Sequence, residues 1–366
     1  MKNIYIGVMT GTSVDAIDIA ALSIDHKSYK LLSAKSYAFP KKLKNKILKC
    51  SRKQGNFNDK IISSLGDELA YVYAKSIETF IDESNLEKET INALGLHGQT
   101  ISHNPNDPHP SSTQIGNGEI VAKATGLIIV NDFRSADIIA GGQGAPLAPL
   151  FHDRFFGEAN KTRAVINIGG IANISIFGKK LVGYDIGPGN VLMDSWCREI
   201  KGKDFDKNGR WAEKGDLNQK LLEYLLEENF IHKKPPKSTG TDYFNSKWIN
   251  EKLEQFDDPI SDTDIQRTLA EFTATIIAGA IESLSDIDQI AICGGGAKNN
   301  FLMKLIREKT SSEIVKTDCW GMNYEWVEAA GFAYLAYLRV NDISLDTSTI
   351  TGSKGKISLG NIQNPN

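Results

Sequence analysis

Several things are missing from this sequence, and each absence removes a class of protein. In 366 residues no apolar run reaches the ~18 positions a membrane helix needs, which argues against a membrane partner. Lys and Arg total 42 against 45 Asp and Glu, for a net charge of -3, so no basic excess is available to hold nucleic acid. Four cysteines stand at 50, 197, 293 and 319, and no two have the C-x-x-C spacing of a zinc or redox site. They read as buried free thiols in a reducing compartment, which makes the cytoplasm the expected location. The first apolar stretch is cut by Thr10 to Ser13 and is a poor signal peptide. No Walker loop occurs: Gly355-Lys356 lacks both the upstream glycine and the following Ser or Thr.

What is present suits about two domains, with 41% hydrophobic and 24% charged residues. Ile4 to Met9 reads as a strand, Gly11-Thr12-Ser13 as a polar turn, and Ala16 to Ile24 as a second strand. The same unit recurs near mid-chain as Arg163 to Ile168, a Gly169-Gly170 turn, and Ile171 to Ile176. Two such units half a chain apart suggest two similar halves. Helices separate them. From Thr263, where Thr263-x-x-Gln266 fits a capping box, Ile265, Leu269, Phe272, Ile276, Ala280 and Leu284 recur at steps of three and four and form a core face. A second helix, about Glu325 to Val340, is apolar nearly all round and is expected to be buried. Strands alternating with helices give an α/β fold.

Without a Walker loop, phosphate chemistry needs another cradle. Gly7-x-x-x-Gly11-Thr12-Ser13-x-Asp15 is one candidate. Glycines bring backbone N–H groups to phosphate oxygens, Thr12 and Ser13 add hydroxyl donors, and Asp15 or Asp18 can hold hydrated magnesium. A hairpin turn with polar tips is the plainer alternative. Ile290 to Cys293 opens into Gly294-Gly295-Gly296-Ala297-Lys298-Asn299 ahead of a helix from Phe301, a turn that lets a flat base or ribose approach the backbone. Gly183 to Asn190 delivers Asp185 to a glycine-rich bend at a strand end, where a carboxylate serves either as a general base or as a turn former bonded to nearby N–H groups. His97 and Gln99 follow an apolar strand and suit sugar hydroxyls. Arg134, after the strand Leu127 to Val130, suits a carboxylate or phosphate, or else an interdomain salt bridge with Asp137. Gly141, Gly142 and Gly144 form a mobile-looking link with hinge freedom. Lys233-Lys234-Pro235-Pro236-Lys237 is a basic loop, either near phosphate or simply solvated.

Read in order, GVMTGTSVDAID (7–18), GLHGQT (95–100), NDFRSADIIAGGQGAPLAPLFH (131–152), INIGGIANIS (166–175), GYDIGPGN (183–190), PPKSTGTDYFN (235–245) and CGGGAKNNFLM (293–303) resemble the anhydro-N-acetylmuramic acid kinases. That family belongs to the superfamily of actin, sugar kinases and heat-shock chaperone ATPases. The resemblance runs from Ile4 to about Leu338. It implies two actin-like (ribonuclease H-like) α/β domains with an ATP cleft between them, expected over residues 1–132, joined by the C-terminal segment, and 133–350. It implies ATP and Mg2+ as cofactors, a homodimer, and a small-molecule sugar, 1,6-anhydro-N-acetylmuramic acid, from peptidoglycan recycling. Water opens the anhydro bridge and O6 takes the γ-phosphoryl group, giving N-acetylmuramic acid 6-phosphate.

Residue by residue, Asp185 matches the family's general base. Gly11, Thr12, Ser13, Asp15 and Asp18 match the first phosphate loop, with Asp15 and Asp18 as metal candidates. Gly169 and Gly170 match the second. Gly294, Gly295 and Gly296, with Asn299, match the nucleoside turn. His97, Gln99, Arg134, Asp137 and Glu328 fall in motifs that face the sugar or the closing cleft. Ala16 stands where the family usually has Gly, Ile186 where Thr follows the catalytic Asp, and Thr241-Asp242 where Arg-Glu is usual. Loss of the hydroxyl beside Asp185 is expected to slow turnover without abolishing it. The rival readings are a kinase of the same superfamily for another sugar or a carboxylate, and an ATP-driven binding protein of the actin or chaperone type.

Overall fold

The computed structural model describes every residue except 1, 2, 52–56, 106, 257, 285 and 286. The chain begins with β1 (Ile4–Met9), β2 (Ala16–Ile24), β3 (Tyr29–Ala38), α1 (Lys41–Ser51), α2 (Asp59–Glu83), β4 (Ile91–Leu96), β5 (Gln99–Asn104), β6 (Ser111–Ile115), α3 (Gly118–Thr125), β7 (Ile129–Asn131), α4 (Ser135–Ile139) and α5 (Ala148–Phe156). It continues with β8 (Arg163–Ile168), β9 (Ile171–Phe177), β10 (Val182–Pro188), α6 (Val191–Lys201), α7 (Gln219–Leu226), α8 (Asn229–His232), α9 (Ser246–Glu254), α10 (Asp262–Glu282), β11 (Gln289–Cys293), α11 (Asn300–Glu308) and β12 (Ile314–Lys316). α12 (Val327–Val340), β13 (Leu345–Asp346), β14 (Lys356–Ile357) and β15 (Asn361–Gln363) complete it.

Met1–Phe151 with Trp326–Asn366 form one compact unit, and His152–Glu325 a second. The division falls at 151/152 and 325/326 where the sequence leads one to expect 132/133 and 350. The reason is local bonding. Phe133 packs on Phe332, with centroids 5.3 Å apart, and Asp137 accepts the hydroxyls of Thr347 and Thr351, so residues 133–147 and 347–351 stay with the first unit.

The first unit's main sheet has the order β15-β7-β4-β1-β2-β3, and the second unit's has β10-β9-β8-β11-β12. In the first, β1–β2 and β2–β3 are antiparallel while β1–β4 and β4–β7 are parallel. In the second, β8–β9 and β9–β10 are antiparallel while β8–β11 and β11–β12 are parallel. Each sheet is therefore a three-strand meander with two parallel strands added beside its first strand, and in the first unit β15 adds an antiparallel edge beyond β7. That is the ribonuclease H-like sheet, present twice, as the two strand–turn–strand units lead one to expect. Helices make the parallel connections, because a parallel neighbour cannot be reached by a tight hairpin.

β1 is central and buried on both faces, so it reads as a continuous apolar run. Its Gly7 has a packing role. A Cβ there would overlap Ala329 O and Ala333 N, and one at Gly95 in β4 would overlap Phe332 O. Both glycines let α12 lie directly on the sheet, so Gly7 belongs to the core and not to the polar turn that follows. α12 is buried as its composition predicts, though it begins at Val327.

In the second unit α10 is capped by Ser261, whose Oγ accepts Asp264 N–H at 3.2 Å, not by Thr263. Thr263 Oγ1 instead accepts Trp211 Nε1–H at 3.0 Å, and Gln266 lies in the core. The expected stripe Ile265, Leu269, Phe272 and Ile276 is buried. Cys50, Cys197 and Cys293 are buried free thiols, but Cys319 is exposed, because it sits in the short surface turn after β12. Among the described residues no helix is long and apolar enough to cross a membrane.

Candidate active site

In the second unit Asp185 sits in β10 beside a register shift and is 4% exposed. Its backbone N–H donates to Lys237 O at 3.0 Å, and its Oδ2 accepts Thr239 N–H at 2.9 Å. The strap 237–239 thus holds both its main chain and its side chain. Ile186, where a threonine hydroxyl is missing, is a core residue. The carboxylate takes its aim from the Thr239 backbone, which the change at 186 does not touch. Lys233 and Lys234 are exposed, but Lys237 is buried, so the basic loop divides into a solvated half and an internal one.

Strand register pairs Asp185 with Asn173, Asn173 with Asn167, and Asn167 with Cys293. Directly paired residues share a face, so Asp185 heads a polar row across four strands. Cys293 Sγ–H donates to Asn167 Oδ1 at 3.7 Å, and the buried His152 meets Ser175 Oγ through Nδ1 at 2.7 Å. Burial lowers the His152 pKa to about 3, so the ring is neutral. Asn173 Oδ1 is buried without a hydrogen-bond partner. The motif INIGGIANIS carries this signal as two asparagines in apolar strands, and only the register reveals it.

The glycine turns of this unit meet. Gly189 and Val191 donate N–H to Gly170 O, and Asn190 donates to Gly169 O. A Cβ on Gly169 would touch only Ile171 O, at 3.4 Å. The three glycines 294–296 have different reasons to be glycine. Gly294 has φ +82°, where a side chain is strained and would overlap Asn167. Gly296 packs on the Ile168 side chain. A Cβ on Gly295 would meet nothing nearer than Asn190 Nδ2, at 4.0 Å, so this residue alone presents bare backbone to open space. Asn299, expected at the nucleotide, uses its Oδ1 to accept Leu302 N–H at 3.1 Å and cap α11.

In the first unit the turn after β1 is anchored by Thr10. Its hydroxyl donates to Gly98 O at 3.0 Å, and so it accepts from Tyr73 OH at 2.8 Å. Gly11 is open, its nearest prospective contact being Ser13 Oγ at 3.8 Å, and Thr12 and Ser13 are half-buried. Asp15 Oδ1 takes Lys44 Nζ at 2.8 Å, and Asp18 accepts from Ser36 Oγ. Among the described residues no group of three His, Cys, Asp or Glu could hold a metal ion. The residues present fit magnesium only as it binds nucleotides, through phosphate oxygens, water and one or two carboxylates.

The fold brings His97 and Arg134 together, with Arg134 Nη2 3.0 Å from His97 Nε2. A guanidinium only donates, so Nε2 accepts and the neutral ring carries its proton on Nδ1. Burial, and next the charge of Arg134, hold the His97 pKa well below the usual imidazole range. Arg134 Nη1 donates to Gly144 O at 2.8 Å, and Gln99 Oε1 is buried without a hydrogen-bond partner. A cavity of about 240 Å³ is lined by His97, Gly98, Gln114, Asn131, Asp132 and Ser135. It is smaller than the ~300 Å³ at which ligand pockets usually begin. Glu328 is half-buried in the first turn of α12.

Asp137 departs from expectation. It is fully buried, with Oδ2 accepting Gly144 N–H at 2.7 Å and Oδ1 accepting Thr347 and Thr351 hydroxyls at 2.6 and 2.7 Å. Its carboxylate braces the turn 137–144. A Cβ on Gly142 would overlap that carboxylate, so this glycine serves close packing where the sequence offers a hinge.

Two ribonuclease H-like sheets in one chain, each with an open glycine turn after its first strand, define the fold class as actin-like. Comparison with known sequences makes the assignment particular. The chain belongs to the anhydro-N-acetylmuramic acid kinase family, whose profile matches residues 3–365. The anhydro-N-acetylmuramic acid kinase of Mannheimia succiniciproducens is 40% identical over 370 residues, covering 98% of each chain. That of Sulfurimonas denitrificans is 40% identical over 369 residues, covering 99% of this chain and all of the relative. Among solved structures, an activator of 2-hydroxyisocaproyl-CoA dehydratase from Clostridium difficile with bound ADPNP aligns at TM-score 0.44 and 12% identity, over 93% of this chain and 96% of that one. The family's activity is ATP-dependent phosphorylation of anhydro-N-acetylmuramic acid in peptidoglycan recycling.

Proposed function

We propose that Asp185 is the general base that opens the anhydro bridge. It takes a proton from water as the water oxygen bonds to the anomeric carbon. The C1–O6 bond breaks, O6 attacks the γ-phosphorus of ATP, and ADP leaves. The observation that carries this reading is the double hold on Asp185, by Lys237 O on its N–H and by Thr239 N–H on Oδ2. A base must be aimed before it is useful.

The remaining roles follow from chemistry. The open backbone at Gly11, with the Thr12 and Ser13 hydroxyls, and at Gly169-Gly170 suits phosphate oxygens, while Gly295 suits the nucleoside. Arg134 is assigned to the sugar's carboxylate, with His97 Nδ1–H and Gln99 as hydroxyl partners. Glu328 is assigned to the sugar side, whereas Asp137 and Asn299 act only through the turns they hold. Asp15 and Asp18 are the carboxylates assigned to a hydrated magnesium ion, which would neutralise phosphate charge when ATP is bound. A cytoplasmic homodimer completes the reading, and light scattering tests the dimer.

The decisive experiment incubates the protein with the anhydro sugar, ATP and magnesium in ¹⁸O-labelled water. Product N-acetylmuramic acid 6-phosphate with the label on its anomeric oxygen is expected. Unlabelled phosphorylated sugar, or ADP release that ignores the sugar, rejects the coupled mechanism.

A further inference from the structure

We infer that Lys237 is a positioning residue for Asp185, holding the base in place through its main chain and keeping it ionised through its ammonium group. The inference rests on the reading of Asp185 as the base. Lys237 is 6% exposed. Its Nζ donates to Ile231 O at 3.0 Å and Phe230 O at 3.1 Å, at the end of α8, and lies 3.5 Å from Ile186 O. The ammonium lies 4.7 Å from the centre of the Phe230 ring and 6.0 Å from that of Tyr184. The same residue's carbonyl accepts Asp185 N–H, and two residues on Thr239 N–H reaches Asp185 Oδ2. One side chain therefore pins the strap to α8 while the strap pins the carboxylate.

The backbone carbonyls of Phe230 and Ile231 hold this ammonium. Burying a charge this way is costly, and a methionine would fill the same space without that cost. The charge earns its place through Asp185. The charged and titratable groups around it are Asp185 and Tyr184 on β10 and Lys233 beyond α8. Burial lowers the Lys237 pKa to about 8, Asp185 opposes that shift, and Lys233 adds to it. By reciprocity the ammonium favours the carboxylate form of Asp185, the form that accepts a proton from water. The basic loop that sequence divides between a phosphate contact and a solvated surface thus contributes a residue to the hydrolytic half of the reaction.

The test compares Lys237→Met and Lys237→Arg with the parent enzyme across pH. In the Met variant kcat should fall about tenfold or more, with both KM values within about twofold. The acidic limb of its kcat profile should move up by about one pH unit. The Arg variant, which keeps the charge, should leave that limb in place. A folded Met variant whose acidic limb has not moved overturns the inference. Should the Met variant not fold, lysine ¹³Cε resonances followed through pH answer the same question. The Lys237 midpoint should drop in Asp185→Asn, and an unmoved midpoint overturns the inference. Asp185→Asn turnover separates the two levels. If it is lost while the Lys237 readouts do not respond, only the positioning role falls. If it persists, the base assignment falls and takes this inference with it.

Discussion

Replacing Gly295 with alanine perturbs the nucleoside turn by one methyl group, and the structure gives both sides of the outcome. The backbone of Gly295 lies outside the left-handed region, and the new Cβ would stand 4.0 Å from its nearest neighbour, Asn190 Nδ2. The fold should therefore accept it, with stability unchanged or raised by up to about 1 kcal/mol through the stiffer unfolded chain. The same methyl would occupy the space assigned to the nucleoside. Overpacking of that kind costs about 1–3 kcal/mol, which corresponds to roughly 5- to 150-fold in ATP affinity. Titration calorimetry with ATP and separate KM values for ATP and sugar would read the effect, and only the ATP values should rise. Gly296→Ala is the opposing control. Its Cβ meets the Ile168 side chain, so it should lower the melting temperature of the second unit. Unchanged ATP affinity in a folded Gly295→Ala protein would refute the reasoning and move the nucleoside away from this turn.

Other outcomes follow from the first unit and from a buried ring in the second. Arg134→Ala should raise the sugar KM by about 10- to 150-fold, the loss of a charged hydrogen bond, and leave the ATP KM alone; an unchanged sugar KM would mean that Arg134 serves only His97 and the Gly144 turn. Asp137→Ala leaves Gly144 N–H and the hydroxyls of Thr347 and Thr351 without their acceptor, so urea unfolding should show a loss of about 3 kcal/mol, and a loss below about 1 would contradict the bracing role. His152 has a folded pKa of about 3 against an ordinary 6.5, so the unfolded chain takes the proton first. Its contribution is intact above about pH 6.5 and declines as pH falls toward 3, at up to about 1.4 kcal/mol per pH unit. Urea midpoints from pH 7 to 4 should fall less steeply in His152→Gln than in the parent, and equal slopes would refute the assignment.

Much of the first-level architecture is legible in the sequence because sharp polar turns interrupt apolar runs. Ile4–Met9, Ala16–Ile24 and Arg163–Ile168 are readable to the residue for that reason. β3 is not, because it is only partly buried and its serines and lysines blur the alternation. Asp185 is legible as a carboxylate on a glycine-rich strand end. The strap that aims it is not, since nothing local says that Lys237 turns inward four residues after the exposed Lys233. Asp137 misleads for the same reason. A carboxylate beside an arginine in a glycine-rich segment reads as a binding group, and nothing local says that Thr347 and Thr351, more than two hundred positions away, donate to its Oδ1 while Gly144 N–H donates to Oδ2. The same long-range bond holds residues 133–147 in the first unit, a link that no local pattern announces.

The discontinuity of the first unit also orders its assembly. α12 seals the sheet at Gly7 and Gly95, and β15 pairs with β7, so strands that precede the second unit in the chain are completed by elements that follow it. Residues 152–325 hold a whole sheet and its helices and can fold as they emerge. A nascent chain stalled before Val327 would therefore display a finished later unit behind an unfinished earlier one. Its two glycine grooves would be bare and the edge of β7 unpaired, and that is the surface a chaperone or protease would meet first.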